Sequence, residues 1–361
     1  MNSFETFPEQ TEAKRRLEAA LADGPAHAYL FHGPPGVGKR AAAQAFAAEL
    51  LGGSERALRN AHPDLYILEP IGDQIRIDET RTLRRDLHMR PFEADRRVYI
   101  ILGADTLNED AADALLKDLE EPPPYAVIVL VATDVGPLPE TIRSRCQLVP
   151  FRRLSERAIR AEAEERAAEL SPQQLTALAR VAAGRLDRLN ELLDPESISR
   201  RQTLLDLARA VYRDPEFEPA NATQRLLAGI SQRGEQARED AEKDLKQLDL
   251  PQREADQRLR RAQRGAEREE LLFSLEELAA WYRDLVVVAT GAERAAIHYD
   301  KLDELREDAT LERLAGAERA CEIVREVWRR LEEFNLNAGL AFEALFVRLR
   351  RELAPNLVYE S

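Results

Sequence analysis

Short apolar runs alternate with amphipathic segments over the first 152 residues of the chain. Some of these runs have the β-branched and aromatic content that favours strands. They are Ala28–His32, Asp64–Leu68, Arg97–Leu102, Ala126–Ala132 and Gln147–Phe151. The run Ala126–Ala132 contains only apolar residues, which is typical of a central parallel strand buried on both faces. Strands that alternate with helices predict a doubly wound α/β domain with a parallel sheet.

The segments between these runs carry the signals of helices. The spacing of apolar residues predicts helices over Lys39–Leu51, Asp78–Leu87 and Asn108–Leu119. Asp78 is placed as the N-cap of the second helix, with Glu79 in its first turn. Pro122–Pro124 end the third helix, because proline has no N–H to donate to the helical ladder.

Beyond Phe151 the apolar residues recur at three- and four-residue spacing, which predicts an all-helical remainder. Short helices are expected over Ser155–Leu170, Ser171–Ala183 and Leu186–Leu193. Asp194-Pro195 breaks this small bundle. We therefore expect an α/β domain over 1–152, a small helical domain over 153–198 and a larger helical domain over 199–361.

The most polar stretch of the second half covers residues 232–270 and holds charges of both signs. Gly234, Pro251 and Gly265 are expected to interrupt it. Two interpretations stay open: a solvated helical pair or partly disordered insertion, and an arm that contacts DNA or a partner through its arginines. Those arginines are Arg258, Arg260, Arg261, Arg264 and Arg268.

The charge balance limits the kinds of partner. The 361 residues include 66 acidic and 52 basic side chains, which gives a formal net charge of -14. A chain this acidic does not bind nucleic acid by bulk electrostatics, so any such contact must be local or shared with partners. Cys146 and Cys321 form neither a disulfide framework nor a CxxC zinc site. No signal-peptide pattern and no apolar run of about 20 residues is present, so we expect a cytoplasmic protein without a membrane contact.

The loop between the first predicted strand and the first predicted helix carries candidate chemistry. It reads Gly33-Pro34-Pro35-Gly36-Val37-Gly38-Lys39. Gly33, Gly36 and Gly38 allow backbone N–H groups to turn around phosphate oxygens, and Lys39 can reach the β- and γ-phosphates. A strand before this loop and a helix after it are the setting that a P-loop requires, so the pattern predicts P-loop ancestry.

The residues that would bind Mg²⁺ and activate water are missing. Arg40 stands where a P-loop has a serine or threonine hydroxyl, and arginine carries only donors and a fixed charge. Leu102 and Gly103 follow the strand at whose end a working ATPase has acidic residues. Asp105 lies too far along to replace them. Three coherent losses predict a site that no longer hydrolyses ATP.

Three segments resemble bacterial clamp-loader subunits of the AAA+ family. They are His27–Phe31 with the phosphate loop, Ala114–Pro123 (ALLKDLEEPP) and Thr141–Cys146 (TIRSRC). They occur in the family's order and cover most of residues 1–150. The helical remainder matches loosely, with Asn335–Asn337 as its best local similarity. The resemblance implies an AAA+ P-loop domain, a small helical lid and a helical collar domain that oligomerises.

The family includes gamma/tau motor subunits, whose Mg²⁺ and hydrolysis residues are intact, and a type of subunit in which they are degraded. Arg40, Leu102 and Gly103 resemble the degraded type. Aligned on Gly184, Asp187 takes the place of the lid arginine with which motor subunits sense the γ-phosphate. This alignment agrees with the degraded type.

The Ser-Arg-Cys motif implies a role at another subunit. In the family, its arginine projects into the ATP site of the adjacent motor subunit. Arg145 is therefore expected as an arginine finger that acts in trans on a gamma/tau site, with Ser144 positioning its turn. The implied partners are gamma/tau and delta subunits, with the sliding clamp and primed DNA reached through the complex. The zinc cysteines of the family are absent from residues 52–61, so no zinc or other metal is implied.

Alternatives remain at this stage. The phosphate loop either keeps weak ATP or ADP binding or is closed. Arg145 taken alone fits a solvated arginine-rich turn, and the chain would then be a scaffold without a finger. The rival functions are a gamma/tau-type motor that hydrolyses ATP and an unrelated P-loop nucleotide kinase. The motor requires acidic residues after Ile101, and the kinase gives no reason for residues 144–146.

Overall fold

A computed structural model describes Phe4 and residues 7–70, 74–245, 252–334 and 336–354. The chain divides into two compact units. One unit holds Met1–Ile159 together with Ala183–Arg188, and the other holds Arg160–Ala182 together with Leu189–Ser361. Every strand in the described ranges lies in the first unit.

The first unit contains a parallel sheet and the helices that cover it. Its strands are β1 Ala28–His32, β2 Leu65–Leu68, β3 Arg97–Leu102, β4 Ala126–Ala132 and β5 Gln147–Pro150. The helices up to β5 are α1 Thr11–Asp23, α2 Lys39–Leu50, α3 Glu55–Leu58, α4 Ile77–Leu87, α5 Glu109–Glu120 and α6 Glu140–Arg143. The predicted strands are confirmed, and the bounds of β1, β3 and β4 agree to the residue. Helices α1, α3 and α6 were not predicted.

The strand order is β2-β3-β4-β1-β5, and all neighbouring strands are parallel. β4 is the middle strand, as its wholly apolar sequence predicts, and β1 lies between β4 and β5, with Tyr29 opposite Val129 of β4 and Gln147 of β5. One face of the sheet packs against a cluster that includes Phe46 of α2, and the other packs against Leu115 of α5. Helices on both faces confirm the predicted doubly wound α/β class.

The chain after β5 is helical throughout the described residues. Its helices are α7 Glu156–Arg166, α8 Pro172–Ala182, α9 Leu186–Leu192, α10 Pro195–Arg213, α11 Pro219–Leu245, α12 Gln252–Ala289, α13 Leu302–Asp308, α14 Leu311–Glu333 and α15 Ala338–Leu353. The change to all-helical structure is confirmed. The boundary expected at residues 198/199 lies inside α10, whose N-cap is Asp194. The division into three domains stays a prediction.

Helices α11 and α12 hold the described part of the charged stretch 232–270. The expected interruptions at Gly234 and Gly265 are wrong, because both residues lie inside helices. Pro251 lies outside the described residues. A Cβ added to Gly234 would lie 2.5 Å from Cγ of Glu267, so glycine here permits the close approach of α12. The described part of the stretch is a helical pair.

The second unit is built around one helical core. Trp281, Tyr282, Phe342 and Phe346 are fully buried in it. His298 is also buried, with its Nδ1 2.9 Å from a carboxylate oxygen of Asp284.

None of the helices in the described ranges is long and apolar enough to cross a membrane.

Helix α4 begins differently from the prediction. Its N-cap is Arg76, and Asp78 lies inside the first turn, so the placement of Asp78 as the N-cap is wrong. The backbone N–H of Arg76 donates to Glu79 Oε2 at 2.8 Å, which closes the first turn. Acidic residues favour both the cap and the first turn of a helix, so the sequence alone does not separate the two positions.

Asn335, in the segment of loose similarity before α15, lies outside the described residues.

A buried carboxylate organises the loop before β3. Asp64 is 1% exposed and accepts the backbone N–H groups of Phe92, Glu93 and Ala94 at 2.6, 2.9 and 2.9 Å. His62 Nδ1 in turn accepts the N–H of Asp64 at 3.1 Å, so His62 has a structural contact in this loop. Burial by itself would raise the pKa of Asp64. The three N–H donors and the nearby Arg97 outweigh burial, and the pKa is lowered.

We expect Asp64→Asn to lower the free energy of unfolding by about 1–3 kcal/mol at neutral pH, because it removes charge-assisted hydrogen bonds from a buried site. The folded pKa is depressed, so the contribution of Asp64 is complete above the unfolded pKa of about 3.9 and is lost as the pH falls through the folded pKa. Urea unfolding of both proteins between pH 7 and pH 2 measures this. Asp113→Asn, on the exposed side of α5, is the control. A difference from wild type that does not change with pH contradicts the assignment.

Candidate functional site

Strands β1, β3 and β4 end at the same edge of the sheet, and the loops after them form the candidate nucleotide site. Asp105 joins two of these loops. Its Oδ2 accepts the backbone N–H of Thr133 at 3.0 Å and that of Asp134 at 3.2 Å. Asp105 therefore ties the loop after β3 to the end of β4. Its carboxylate has a structural role there, and it does not take the position of the missing acidic residues at Leu102 and Gly103.

The backbone of the phosphate loop requires glycine at two places. Gly33 has φ +140°, and a Cβ added to it would lie 2.2 Å from the carbonyl oxygen of Phe151. Gly36 has φ +70°, and its added Cβ would lie 1.8 Å from Oδ1 of Asp187. Gly38 is the N-cap of α2. The predicted phosphate loop thus lies between a strand and a helix, as its ancestry requires.

Lys39 is turned onto its own loop. Its Nζ donates to the carbonyl oxygens of Gly33 and Pro34, each at 2.5 Å, and the residue is 6% exposed. Burial lowers the pKa of Lys39 to about 8, against the opposing effect of the charges of Asp105 and Asp187. The ammonium that would reach a phosphate is satisfied within the protein.

Residues 183–188 close over the phosphate loop within the same unit. The backbone N–H of Leu186 donates to the carbonyl oxygen of Gly36 at 2.7 Å. The Asp187 carboxylate lies against Gly36 and accepts from Nη2 of Arg185 and from the N–H of Arg188, both at 2.8 Å. Burial would raise the pKa of Asp187, but these donors outweigh it and lower the pKa. An anionic side chain therefore lies directly against the phosphate loop.

Arg40 lies in the first turn of α2, and Leu102 and Gly103 lie at the end of β3. Arg40 forms an ion pair with Glu69 at 2.5 Å, and both side chains are about half exposed. Gly103, with φ +65°, starts a short 3₁₀ turn directly after Leu102 ends β3. Neither Arg40, Leu102 nor Gly103 carries an oxygen in its side chain that could bind Mg²⁺. Among the described residues, no group of three or more histidines, cysteines, aspartates or glutamates is arranged to hold a metal ion.

The hydrogen bonds of Arg145 go to residues outside the phosphate loop. Its Nη2 donates to Glu120 Oε1 at 2.5 Å, and its Nη1 donates to the carbonyl oxygen of Thr141 at 2.8 Å. Ser144 Oγ donates to the same carbonyl oxygen at 3.2 Å and lies 3.5 Å from Nη1 of Arg145. The arginine side chain is 33% exposed. Ser144 and Arg145 are thus brought together with the end of α5.

Cys146 follows the arginine and is only partly exposed. Burial raises the pKa of its thiol to about 12. The thiol is protonated at neutral pH and is a poor nucleophile. This state fits a packing role for Cys146.

The sequence reasoning missed two residues at these sites. Gln10 donates from Nε2 to the carbonyl oxygens of Arg152 and Val37 at 2.7 and 3.3 Å, and so links the phosphate loop to the end of β5. Glu120 is the partner of Arg145. Long-range pairs of this kind leave no local signal in a sequence.

The comparisons with known proteins concern mainly the first unit. Residues 9–155 match the model of the family described as "DNA polymerase III, delta subunit". The chain is 38% identical over 145 residues to the DNA polymerase III subunit delta' of Bacillus subtilis, which covers 37% of this chain and 44% of that protein. It is 34% identical over 179 residues to the DNA polymerase III subunit tau of Bacillus subtilis, covering 43% of this chain and 30% of that protein. The chain therefore spans less than half the length of these curated relatives.

A solved structure is similar over more of the chain. It is a DNA polymerase III gamma-subunit-related protein from Thermotoga maritima. The alignment covers 94% of this chain and 99% of the Thermotoga chain, with a TM-score of 0.44 and 17% identity.

The parallel sheet, the phosphate loop after β1 and the helices after β5 define an α/β P-loop domain followed by an all-helical region. Within that class, residues 9–155 are similar to the family described as "DNA polymerase III, delta subunit". The resemblance to delta-prime subunits that the motifs indicate is confirmed by the match to a delta-prime relative.

The contact between Gly36 and Asp187 can be tested by stability. Gly24→Ala introduces a side chain at φ +95° in open space, so it reports backbone strain alone, at about 1–3 kcal/mol. Gly36→Ala is expected to lower the free energy of unfolding by about 1–3 kcal/mol more than Gly24→Ala does, because its Cβ overlaps the Asp187 carboxylate. The additional loss should disappear in an Asp187→Ala background. Urea unfolding of the single and double variants measures it, and equal losses in both backgrounds contradict the contact.

Proposed function

We propose that this chain is a delta-prime-type subunit of a bacterial DNA polymerase III clamp loader. On this proposal it does not hydrolyse ATP, and it supplies Arg145 as an arginine finger in trans to the ATP site of a neighbouring gamma/tau subunit. The observation that carries the proposal is one combination in a single chain. Arg145 in the Ser-Arg-Cys turn is partly exposed, while Arg40, Leu102 and Gly103, at the positions where Mg²⁺ ligands are expected, carry no side-chain oxygen.

The absence of hydrolysis is supported by the chemistry of the phosphate site. Transfer of a phosphoryl group depends on Mg²⁺ and on a residue that orients the attacking water. Arg40, Leu102 and Gly103 provide neither. The carboxylate of Asp187 against Gly36 would also repel a triphosphate, since like charges at contact distance are unfavourable.

The finger role is supported by the properties of guanidinium and by the exposure of Arg145. Arginine stays charged at all physiological pH values and presents donors in a planar fork that matches phosphate oxygens. The hydrogen bonds of Arg145 hold it at the end of α5 and not at the chain's own phosphate loop, so its guanidinium is available to another subunit on this proposal. A finger supplied in trans contributes about 10³- to 10⁵-fold to the rate of hydrolysis.

The assembly follows from the same proposal. The chain would act in the cytoplasm with gamma/tau and delta subunits, and the complex would open the sliding clamp and place it on primed DNA. The net charge of -14 agrees with DNA contact that is shared with partners. The helical region from α10 onward would form the collar that holds the subunits together.

The purified chain is expected to show only background hydrolysis of Mg-ATP, with or without primed DNA, because its metal ligands are missing. Steady-state phosphate release measures this, with a gamma/tau subunit from the same source as the positive control. Robust turnover that Lys39→Ala abolishes would favour a gamma/tau-type motor. Turnover that requires a nucleotide acceptor would favour a P-loop nucleotide kinase.

Arg145→Ala is expected to slow hydrolysis at the neighbouring ATP site by about 10³- to 10⁵-fold in a reconstituted loader. In a single-turnover experiment each ATP site contributes a phase of hydrolysis. The phase of the site that Arg145 serves should be missing from the Arg145→Ala loader. Arg152→Ala, which removes an arginine that is 85% exposed in the same unit, is the matched control. If Arg145→Ala assembles normally and every phase persists, the chain is a scaffold without a finger.

A further inference from the structure

The contact between Arg145 and Glu120 joins two of the family-like motifs. Glu120 is the last residue of α5, and Arg145 follows α6, 25 residues further along the chain. Nη2 of Arg145 donates to Oε1 of Glu120 at 2.5 Å. A charge-assisted bond of this kind fixes both the position and the orientation of a guanidinium.

The arginine is held from two sides. Nη1 donates to the carbonyl oxygen of Thr141, which lies one helical turn earlier, while Nη2 is held by Glu120. A guanidinium has five N–H donors. Within the described residues, Nε and the second N–H of Nη2 have no acceptor. The two contacts therefore restrain the side chain and still leave donors for a phosphate group.

Stability of the fold does not explain the pair. The side chains of Arg145 and Glu120 are 33% and 51% exposed. Ion pairs this exposed contribute little to stability, because water and salt screen them. A long arginine side chain that is fixed before it binds, however, loses less conformational freedom when it reaches a phosphate.

We propose that Glu120 is the positioning residue of Arg145: it holds the guanidinium in the orientation in which it reaches the neighbouring subunit's γ-phosphate. This inference rests on the proposed function of Arg145 as a finger. Glu120 itself contacts no nucleotide. Glu121, its neighbour in the sequence, is exposed and lies beyond the end of α5, so the two adjacent carboxylates have different roles.

The test uses the full chain in a loader reconstituted with its gamma/tau and delta subunits. Glu120→Ala is expected to slow the Arg145-dependent phase of single-turnover hydrolysis by about 2- to 10-fold, the effect of releasing one immobilised side chain. The KM for ATP should not change, because the motor subunit binds the nucleotide. Glu120→Gln keeps an acceptor oxygen and should recover most of the rate. Glu121→Ala is the matched control and should behave as wild type.

A double-mutant cycle separates positioning from a general structural effect. If Glu120 acts through Arg145, Glu120→Ala should have no further effect in an Arg145→Ala background. An equal loss in both backgrounds would overturn the inference, because Glu120 would then support the subunit in another way. A wild-type rate for Glu120→Ala would also overturn it. A faster rate would overturn it too, because it would show that Glu120 holds Arg145 away from the orientation that promotes hydrolysis. Either result leaves the finger role intact, since only the Arg145→Ala variant decides that role.

Discussion

The structure depends on the position of β1 between β4 and β5 in the parallel sheet. This pairing brings the carboxyl ends of β1, β4 and β5 to one edge, where the phosphate loop, Thr133 and Phe151 meet. The carbonyl oxygen of Phe151 lies so close to Gly33 that no side chain fits there. The same pairing places the Ser-Arg-Cys turn, just before β5, within reach of the end of α5.

The charges at the site are satisfied inside the chain. Lys39 donates to carbonyl oxygens of its own loop, and Asp187 is held by Arg185 and by the N–H of Arg188. A polar group that is buried and hydrogen-bonded has little to gain from a new ligand, because its desolvation is already compensated. The lack of side-chain oxygens at Arg40, Leu102 and Gly103 and the internal pairing of Lys39 and Asp187 both disfavour the binding of Mg-ATP. On the proposed function, the nucleotide fold serves as a scaffold that presents the surface around Arg145.

Much of the fold could be predicted, because the deciding signals are local. The apolar runs gave β1, β3 and β4 without error, since buried parallel strands carry continuous apolar sequence. The errors have physical causes as well. Asp78 was mistaken for a cap because acidic residues stabilise both the cap and the first turn. Gly234 and Gly265 were expected to break helices, but the packing of α11 against α12 outweighs the propensity of glycine. The short helices α3 and α6 are held by their surroundings and have too few residues for a periodic pattern.

The sequence by itself determined the phosphate loop, its missing metal ligands and the Ser-Arg-Cys turn, because the chemistry of each lies in a few adjacent residues. Only the tertiary structure decided which distant groups meet at these sites. Asp187 lies against Gly36, Gln10 bridges the phosphate loop and β5, and Glu120 holds Arg145. Each of these contacts joins residues far apart in the chain. Their distances are set by the packing of the sheet and its helices, which no local pattern encodes.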